Sequence, residues 1–295
     1  MKVGIINRER DTALDCGILE LLPPHISAEI RDMPVRQVDE IRLRRDALCS
    51  LTSDGRTLPL RGRLDGTAMG EILKRICGGS LYAHESTVRR GYVVFGGGVR
   101  VGVCGRAVTE GGRVVGVYDT SSLCIRLPHR APNVGEGLDP LVRSGGLLIY
   151  SPPGEGKTTL LRALLARLTA GADALRCSVI DTRGELSCFL PHDSCADILT
   201  GYPRGEGIEI AARCLNPQLI VCDEIGGDMS EAQSIAAAHN VGVSLLASAH
   251  GQNVRSLLRR APIALLHEKG IFSHYVGIKR AGSDYAYETV SADEL

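Results

Sequence analysis

The chain has 295 residues, an apolar content of 44% and a formal net charge of zero. This length predicts two domains or one large one, and the apolar fraction supports a full hydrophobic core. The balanced charge argues against a protein that binds nucleic acid or a membrane surface through bulk electrostatics, although it does not exclude a local basic patch.

The first half of the chain mixes short helices with strands that carry hairpin signals. Apolar residues at helical spacing predict helices around Thr12–Leu22, ended by Pro23-Pro24, and over Asp65–Cys77 and His84–Arg90. Alternation and glycine turns predict strands at Val38–Arg44, Leu48–Thr52, Arg56–Leu60, Tyr92–Phe95, Val99–Val108, Arg113–Val117 and Ser122–Leu127. These elements predict a smaller α+β domain over residues 1–130 with an antiparallel sheet. Pro128–Leu138, rich in Pro and Gly, is predicted to be a linker.

From Gly146 onward strands and helices alternate. The predicted strands are Leu147–Tyr150, Ser178–Asp181, Leu219–Cys222, Val243–Ser248, Phe272–Lys279 and Tyr285–Val290, the last two on either side of Ala281-Gly282-Ser283. The predicted helices are one that opens at Lys157, then Ile208–Leu215, Met229–His239 and Val254–Arg260. Such alternation predicts an α/β domain over residues 139–295 with a mostly parallel sheet. Its ligand is expected at the carboxyl ends of the strands.

A phosphate-binding loop is predicted between the first of these strands and its helix. Ser151-Pro152-Pro153-Gly154-Glu155-Gly156-Lys157-Thr158, followed by Thr159, matches G-x-x-x-x-G-K-[ST] except for Ser151 at the first glycine. The loop amides and the helix N-terminus would hold the phosphates of ATP. Lys157 would reach the β and γ phosphates, and the Thr158 hydroxyl would bind Mg²⁺. The alternative, a chance Gly-Lys-Thr in an ordinary strand–turn–helix, fits the flanking apolar strand and Leu/Ala-rich helix less well.

Five further side chains at or near strand ends are candidate metal-binding or catalytic groups. Asp223 follows an apolar strand and would hold Mg²⁺ together with Thr158, while Glu224 would polarise the attacking water. Asp181 and Glu185 follow the neighbouring strand, where acids could position water or metal. His250 ends a third strand, where it could report the γ-phosphate or orient water. Each of these side chains could instead be structural or solvated.

Phosphoryl transfer needs positive charge beyond Lys157, and an arginine often supplies it. Each candidate could equally be a solvated charge or a salt-bridge partner. The candidates are Arg89, Arg90, Arg100, Arg106 and Arg126 in the first domain and Arg204 and Arg213 in the second.

The N-terminal sequence, the lengths of the apolar runs and the cysteine pattern predict the cellular compartment. The N-terminus lacks the apolar segment of a secretory signal, and no apolar run approaches the length of a membrane span. The ten cysteines form no C-x-x-C pair and no Cys/His cluster at zinc spacing. We therefore expect a cytoplasmic protein with reduced cysteines. Most cysteines, such as Cys214 and Cys222, lie in apolar runs and are predicted to be buried.

Several segments spread over roughly residues 38–290 form a recognisable set. In chain order they are Glu40-Ile41-Arg42-Leu43-Arg44, Arg89-Arg90-Gly91-Tyr92, Arg100–Gly105, Ser121–Arg126, Pro-Pro-Gly-x-Gly-Lys-Thr-Thr, Pro203–Gly207, Asp223–Gly226 and Ala249-His250-Gly251. Together they resemble the stage III sporulation protein AA family, which belongs with the type II/IV secretion ATPases. The segments before the phosphate-binding loop make the resemblance specific, because a generic P-loop protein would lack them.

The resemblance implies a RecA-like P-loop ATPase domain behind the smaller α+β domain. It implies a ring-shaped homo-oligomer, expected to be a hexamer, that hydrolyses ATP in the cytoplasm. The ring would be peripheral to the membrane through inner-membrane proteins of a sporulation complex, and would power assembly of, or transport through, a channel between mother cell and forespore. Arg100 and Arg126 would be lent to the nucleotide by the first domain. The acidic box of the family would map onto Asp181–Glu185 and its His box onto His250.

Two positions depart from that family pattern and keep alternatives open. Ser151 replaces a glycine, and Thr182 stands where a Glu is expected, so the general base would be Glu185 or Glu224. A scaffold that binds ATP without hydrolysing it would fit both departures. A nucleic-acid-dependent RecA-like motor would need a basic stripe, for which Arg42–Arg45 and Arg89-Arg90 are candidates. The neutral net charge argues against such a stripe, and no nucleic-acid partner is expected.

Overall fold

A computed structural model describes residues 17–35, 37–129, 134–188, 190–191, 193–239, 242–282 and 284–295. The chain divides into two units, Met1–Arg130 and Ala131–Leu295. Thr12–Cys16 of the first predicted helix, residues 130–133 of the predicted linker, and Ser283 lie outside the described residues. Within the described ranges, no helix combines the length and the apolar character that a membrane crossing requires.

The first unit contains a six-stranded antiparallel sheet with the strand order β3-β2-β1-β6-β5-β4. Its strands are β1 (Glu40–Arg44), β2 (Ser50–Ser53), β3 (Arg56–Pro59), β4 (Tyr92–Phe95), β5 (Val99–Glu110) and β6 (Arg113–Arg126). Its helices are α1 (Ile18–Leu21), α2 (Pro24–Asp32), α3 (Gly66–Ile76) and α4 (Glu85–Arg89). Alternation along β1 buries Ile41 and Leu43 and turns its charged residues outward. The buried face lies under α3 and α4, which both contact β6.

One prediction for this unit is wrong, and one helix was not predicted. The first helix ends before Pro23-Pro24 as predicted, since α1 covers Ile18–Leu21, but a second helix, α2, begins at Pro24. Proline fits the first turn of α2 because the N–H it lacks is unpaired there anyway. The two strands predicted at Arg113–Val117 and Ser122–Leu127 are parts of the single strand β6. Its pairing with β5 is irregular between Cys104 and Arg106 and between Val108 and Thr109. Such irregularities let one long strand continue through a change in its side-chain pattern.

The second unit contains a seven-stranded sheet with the order β13-β12-β7-β11-β10-β8-β9. Its strands are β7 (Leu147–Ser151), β8 (Cys177–Asp181), β9 (Ala196–Thr200), β10 (Leu219–Cys222), β11 (Ser244–His250), β12 (His274–Ala281) and β13 (Asp284–Ser291). Its helices are α5 (Asp139–Arg143), α6 (Lys157–Leu168), α7 (Arg204–Ile210), α8 (Met229–His239), α9 (Val254–Leu258) and α10 (Ala261–Glu268). All neighbouring strands pair in parallel except β12 and β13. The predicted α/β fold class is therefore confirmed.

Two apolar cores lie against the seven-stranded sheet, and β7 contributes to both. Leu147 and Ile149 belong to the core that contains Leu160 and Leu164 of α6. Leu148 and Tyr150 belong to the core formed with helices α7 to α10. Because both faces are buried, the central strands are apolar throughout. The carboxyl ends of β7, β11, β10 and β8 consequently lie side by side at one edge.

Candidate functional site

The predicted site residues meet at this edge of the second unit. His250, at the end of β11, pairs in register with Ser151 at the end of β7. Asp223 and Glu224 directly follow β10, and Asp181 ends β8, which pairs with β10. The parallel topology thus brings together groups that are far apart in sequence, as expected for a ligand site at strand carboxyl ends.

The loop after β7 has the backbone that its glycines require. Gly154 and Gly156 have φ values of 81° and 103°, in the left-handed region that side chains rarely adopt. A Cβ on Gly156 would also collide with the ring of Tyr285. The loop is fastened to β12, because the backbone N–H of Arg280 donates to Glu155 Oε2 at 2.8 Å. The backbone therefore forms a fixed turn that ends at Lys157, the first residue of α6.

Ser151 causes no strain in this loop. It is the last residue of β7 and does not adopt a positive φ, so the conformation does not demand glycine. Its buried hydroxyl donates to the Pro152 carbonyl at 2.9 Å and lies 3.3 Å from Lys157 Nζ, from which it accepts. The serine therefore adds a partner for the lysine instead of distorting the turn.

The ammonium of Lys157 is buried inside the loop. It donates to the carbonyls of Ser151 and Pro152, each at 3.0 Å. Burial lowers the pKa of Lys157, while the carboxylates of Asp223, Glu224 and Glu155 act in the opposite direction. A concentrated positive charge of this kind, enclosed by loop backbone, is suited to an anionic ligand.

Thr158 and Asp223 are brought together by the fold. Thr158 Oγ1 donates to Asp223 Oδ2 at 2.8 Å, and the other carboxylate oxygen accepts from the Ser248 hydroxyl and, at 3.0 Å, from the Glu224 N–H. One hydroxyl and one carboxylate fit Mg²⁺, which prefers oxygen and takes its remaining ligands from water and phosphate. The described ranges hold no cluster of three or more His, Cys, Asp or Glu side chains suited to a metal. A metal held only by protein side chains is therefore not indicated in that part of the chain.

Glu224 is the most constrained residue of the site. Its φ of 55° lies in the left-handed region, and its N–H also donates to Ser248 Oγ at 3.0 Å. Its Oε1 lies 3.2 Å from His250 Nε2, and its Oε2 lies 2.7 Å from Arg183 Nη2. The fold therefore joins two predicted residues, Glu224 and His250, with Arg183, which the sequence did not single out. The signal for Arg183 was its place two residues after Asp181, at a strand carboxyl end.

The carboxylate of Asp181, a predicted catalytic residue, points into the loop that follows β8. Its buried carboxylate accepts from the backbone N–H groups of Glu185, Leu186 and Ser187 at 2.8, 3.0 and 2.9 Å, and from the Ser187 hydroxyl at 2.8 Å. These four donors leave little capacity for water or metal. The Asp181 carboxylate therefore shapes the loop that carries Arg183, and its catalytic role stays a prediction.

Glu185, the other acid predicted on this loop, lies near Arg162 of α6. Burial lowers the pKa of Arg162, and the nearby charges of Cys188, Glu185 and Asp181 oppose that shift. The loop after β8 therefore places acids close to the partly buried Arg162.

The candidate arginines differ in their surroundings. Arg204 makes its hydrogen bonds within the second unit. Its Nε donates to the Asp223 carbonyl at 2.9 Å, and its Nη1 donates to Glu231 Oε2 at 3.1 Å. In the first unit, Arg100 lies over the Tyr92 ring, 4.7 Å from its centroid, and pairs in register with Arg126. Arg126 Nε is 3.9 Å from Glu40. Arg106 is paired with Asp119 at 3.3 Å, and Arg89, Arg90 and Arg213 are exposed.

Comparison with known proteins gives a consistent result. A family model described as sporulation stage III, protein AA, matches residues 26–290. The stage III sporulation protein AA of Bacillus subtilis (strain 168) is 32% identical over 281 residues, which cover 90% of this chain and 91% of that protein.

Solved structures share the fold at low sequence identity. The ATPase DotB of Legionella pneumophila has a TM-score of 0.62 at 16% identity, over 97% of this chain and 82% of its own. The pilus retraction motor PilT, solved with bound ADP, has a TM-score of 0.63 at 16% identity, over 93% and 82%. The chain thus has the fold of DotB and PilT: a RecA-like α/β unit with a smaller α+β unit before it.

Proposed function

Because the chain belongs to the stage III sporulation protein AA family, we propose that it is a P-loop ATPase that hydrolyses ATP to ADP and phosphate. The observation that carries this proposal is the 2.8 Å contact of Thr158 Oγ1 with Asp223 Oδ2. It joins the hydroxyl of the phosphate-binding loop to the first acid after β10, although the two residues are 65 positions apart. A chance Gly-Lys-Thr would have no reason to face an acid from another strand.

The roles follow from the positions of the side chains. The ammonium of Lys157 would exchange its carbonyl partners for the β and γ phosphates, and the backbone N–H groups from Gly154 to Thr159 would add hydrogen-bond donors, whereas Pro152 and Pro153 have none. Thr158 and Asp223 would hold Mg²⁺, which supplies positive charge next to the phosphates when bound. Glu224 accepts a proton from the attacking water, and His250 fixes the orientation of its carboxylate. Glu185, on the loop after β8, stays the alternative candidate for the base.

The wider biological role rests on the relatives. We propose that the chain works as a ring-shaped homo-oligomer, a hexamer, in the cytoplasm. The ring would be peripheral to the membrane through partner proteins, and would drive assembly of or transport through a channel between mother cell and forespore. The name of the Bacillus subtilis relative supports the sporulation context, and the description of PilT as a motor supports mechanical work. Arg100 and Arg126 are proposed to reach the nucleotide, since both guanidiniums lie on exposed side chains of one row across β5 and β6.

The two alternatives find less support in the structure. Ser151 adopts an ordinary backbone conformation, which removes one of the two features that favoured a non-hydrolysing scaffold. The basic stripe that a nucleic-acid motor needs is partly neutralised, because Arg42 is 2.7 Å from Glu40 and Arg45 is paired with Asp119. Both alternatives become outcomes of the test.

The test is steady-state ATP turnover with nucleotide binding measured in parallel. We expect Lys157→Ala to lose binding and Glu224→Gln to bind without turnover. The matched controls are Lys269→Ala and Glu268→Gln, exposed residues at the end of α10, which should behave as wild type. Tight binding without turnover in wild type would select the scaffold, and turnover that depends on added DNA or RNA would select the nucleic-acid motor.

A further inference from the structure

The ion pair between Arg183 and Glu224 has no part in the roles assigned above. Arg183 Nη2 lies 2.7 Å from one carboxylate oxygen, and His250 Nε2 lies 3.2 Å from the other. Both oxygens of the proposed base are therefore engaged by nitrogen groups. A base must turn a free lone pair toward the water it activates, so the pair affects what Glu224 can do.

The sheet order shows in which direction Arg183 draws the carboxylate. Along the carboxyl edge the strands follow in the order β7, β11, β10, β8. Lys157 comes after β7, Glu224 after β10 and Arg183 after β8, with neighbouring strands about 4.8 Å apart. Arg183 therefore holds Glu224 from the side opposite to the phosphate-binding loop, whereas His250, on β11, holds it from the near side.

Both ends of the pair rest on rigid backbone. The N–H of Glu224 is bonded to Asp223 Oδ1 and Ser248 Oγ, each at 3.0 Å. The loop of Arg183 is fixed by the four bonds to Asp181 and by the Thr182 hydroxyl, which donates to the Tyr202 carbonyl at 3.1 Å. Any movement of the carboxylate toward Lys157 is therefore a rotation of the Glu224 side chain away from the loop that carries Arg183.

The strength of the pair suits a contact that opens and closes. The Arg183 side chain is 56% exposed and that of Glu224 is 23% exposed. Ion pairs this exposed are weak and are screened by salt.

We propose that Arg183 is a positioning residue that restrains Glu224, and that hydrolysis proceeds only when this ion pair opens. The inference rests on the function proposed above and adds a means of regulation to it. A partner or a neighbouring subunit that attracts the Arg183 guanidinium would release Glu224 and raise turnover without contacting ATP.

The first readout is kcat at saturating ATP and Mg²⁺ with the full chain. We expect Arg183→Gln to raise basal kcat about two- to fivefold, the effect of losing one exposed ion pair. Arg183→Lys keeps a cation at the position and should stay near wild type. Arg259→Gln, which changes an exposed arginine of the same unit, is the matched control and should also stay near wild type.

The second readout does not depend on hydrolysis. Nitrogen-15 NMR of the Arg183 guanidinium, assigned by its loss in Arg183→Gln, should show hindered rotation in wild type without added nucleotide. Glu224→Gln should free that rotation, because it removes the carboxylate.

The outcomes separate the inference from the function it rests on. Turnover in wild type combined with an unchanged or slower Arg183→Gln overturns the restraint alone. Equal mobility of the Arg183 guanidinium in wild type and in Glu224→Gln also overturns it. Absence of turnover in wild type and in every variant removes the proposed function, and the restraint on it as well.

Discussion

Ser151 Oγ lies 3.3 Å from Lys157 Nζ, so the residue that departs from the loop pattern is a hydrogen-bond partner of the residue that defines it. The serine hydroxyl also bridges to the Pro152 carbonyl at 2.9 Å. A departure in sequence is thus compatible with the loop geometry, since the backbone at Ser151 is that of an ordinary strand end.

Ser151→Gly, which restores the pattern, should weaken the fold instead of improving the enzyme. The change removes two hydrogen bonds of a buried hydroxyl and adds backbone freedom to the unfolded chain. We expect the free energy of unfolding to fall by about 1–2 kcal/mol, measured by urea denaturation. Ser144→Gly, at an exposed serine after α5, controls for the entropy of glycine. An increase in stability on Ser151→Gly would contradict the bonding described for this hydroxyl.

Asp181→Asn should destabilise the second unit. An amide cannot accept at both ends, so its NH₂ group would face a backbone N–H of the loop 185–187. Charge-assisted bonds are worth about 1.5–3 kcal/mol each, and we expect a loss of about 2–3 kcal/mol in a denaturant titration. Ser187→Ala removes only the hydroxyl bond and should cost about 1 kcal/mol. An Asp181→Asn variant with wild-type stability would contradict this role of the Asp181 carboxylate.

Glu231→Ala should loosen the turn after β10. Glu231 is buried, accepts from the Gly226 N–H at 2.7 Å and pairs with Arg204 at 3.1 Å, and Arg204 in turn binds the Asp223 carbonyl. Breaking a buried pair leaves an uncompensated guanidinium, which costs about 3–5 kcal/mol when burial is complete. Because Arg204 is partly exposed, we expect about 2–3 kcal/mol by thermal or chemical unfolding. Glu268→Ala, a change at an exposed residue, is the control. If Glu231→Ala lowers the free energy of unfolding by no more than Glu268→Ala does, this role of Glu231 is contradicted.

The cysteines should divide into two groups when alkylated. Burial raises the pKa of Cys177 to about 12 and that of Cys188 to about 11, and it raises the pKa of fully buried Cys222 further in the same direction. A pH of 8 is far below the pKa of these thiols in the folded protein, so they remain protonated. Iodoacetamide should therefore not react with them in the native protein. Mass spectrometry should find the label on the thiols that are exposed in the described part of the chain, Cys104, Cys195 and Cys214.

That labelling pattern also tests a prediction from sequence that the structure corrects. Cys222 is buried as predicted, but Cys214 is exposed, because it lies in the π-helical turn Ala211–Leu215 that follows α7. Rapid native labelling of Cys222 would mean that β10 opens readily. Denatured protein, in which every thiol should react, is the control.

Composition explains the elements that the sequence predicted well, because α8 is rich in Ala and β10 is a continuous apolar run that ends at two acids. Helix α8 has the predicted bounds Met229–His239, and the apolar strand β10 has the predicted bounds Leu219–Cys222. Strand β9 escaped prediction because it is a short edge strand whose side chains are mostly exposed. Helix α10 was not predicted; it has Pro262 in its first turn, where proline is tolerated although it breaks a helix elsewhere.

Only those site residues that belong to sequence motifs or follow predicted strands could be predicted. The residues at strand ends could be placed at one edge, because parallel strands align their carboxyl ends. Which side chains touch depends on loop backbone, and no spacing rule encodes that. The turn of Asp181 into its own loop and the pairing of Arg183 with Glu224 are both of this kind. Both contacts could be identified only from the three-dimensional structure.

The position of β7 in its sheet has a consequence for synthesis of the chain. Its two neighbours, β11 and β12, start at Ser244 and His274, far downstream of its own start at Leu147. At about 5–20 residues per second, an apolar strand with two unpaired edges persists for roughly 10 s after it leaves the ribosome. Helix α6 follows β7 directly in the chain and can cover one face of the strand. The two edges of β7, however, stay unpaired until the last third of the chain has been synthesised. A nascent chain truncated before β12 would expose an aggregation-prone edge next to the phosphate-binding loop.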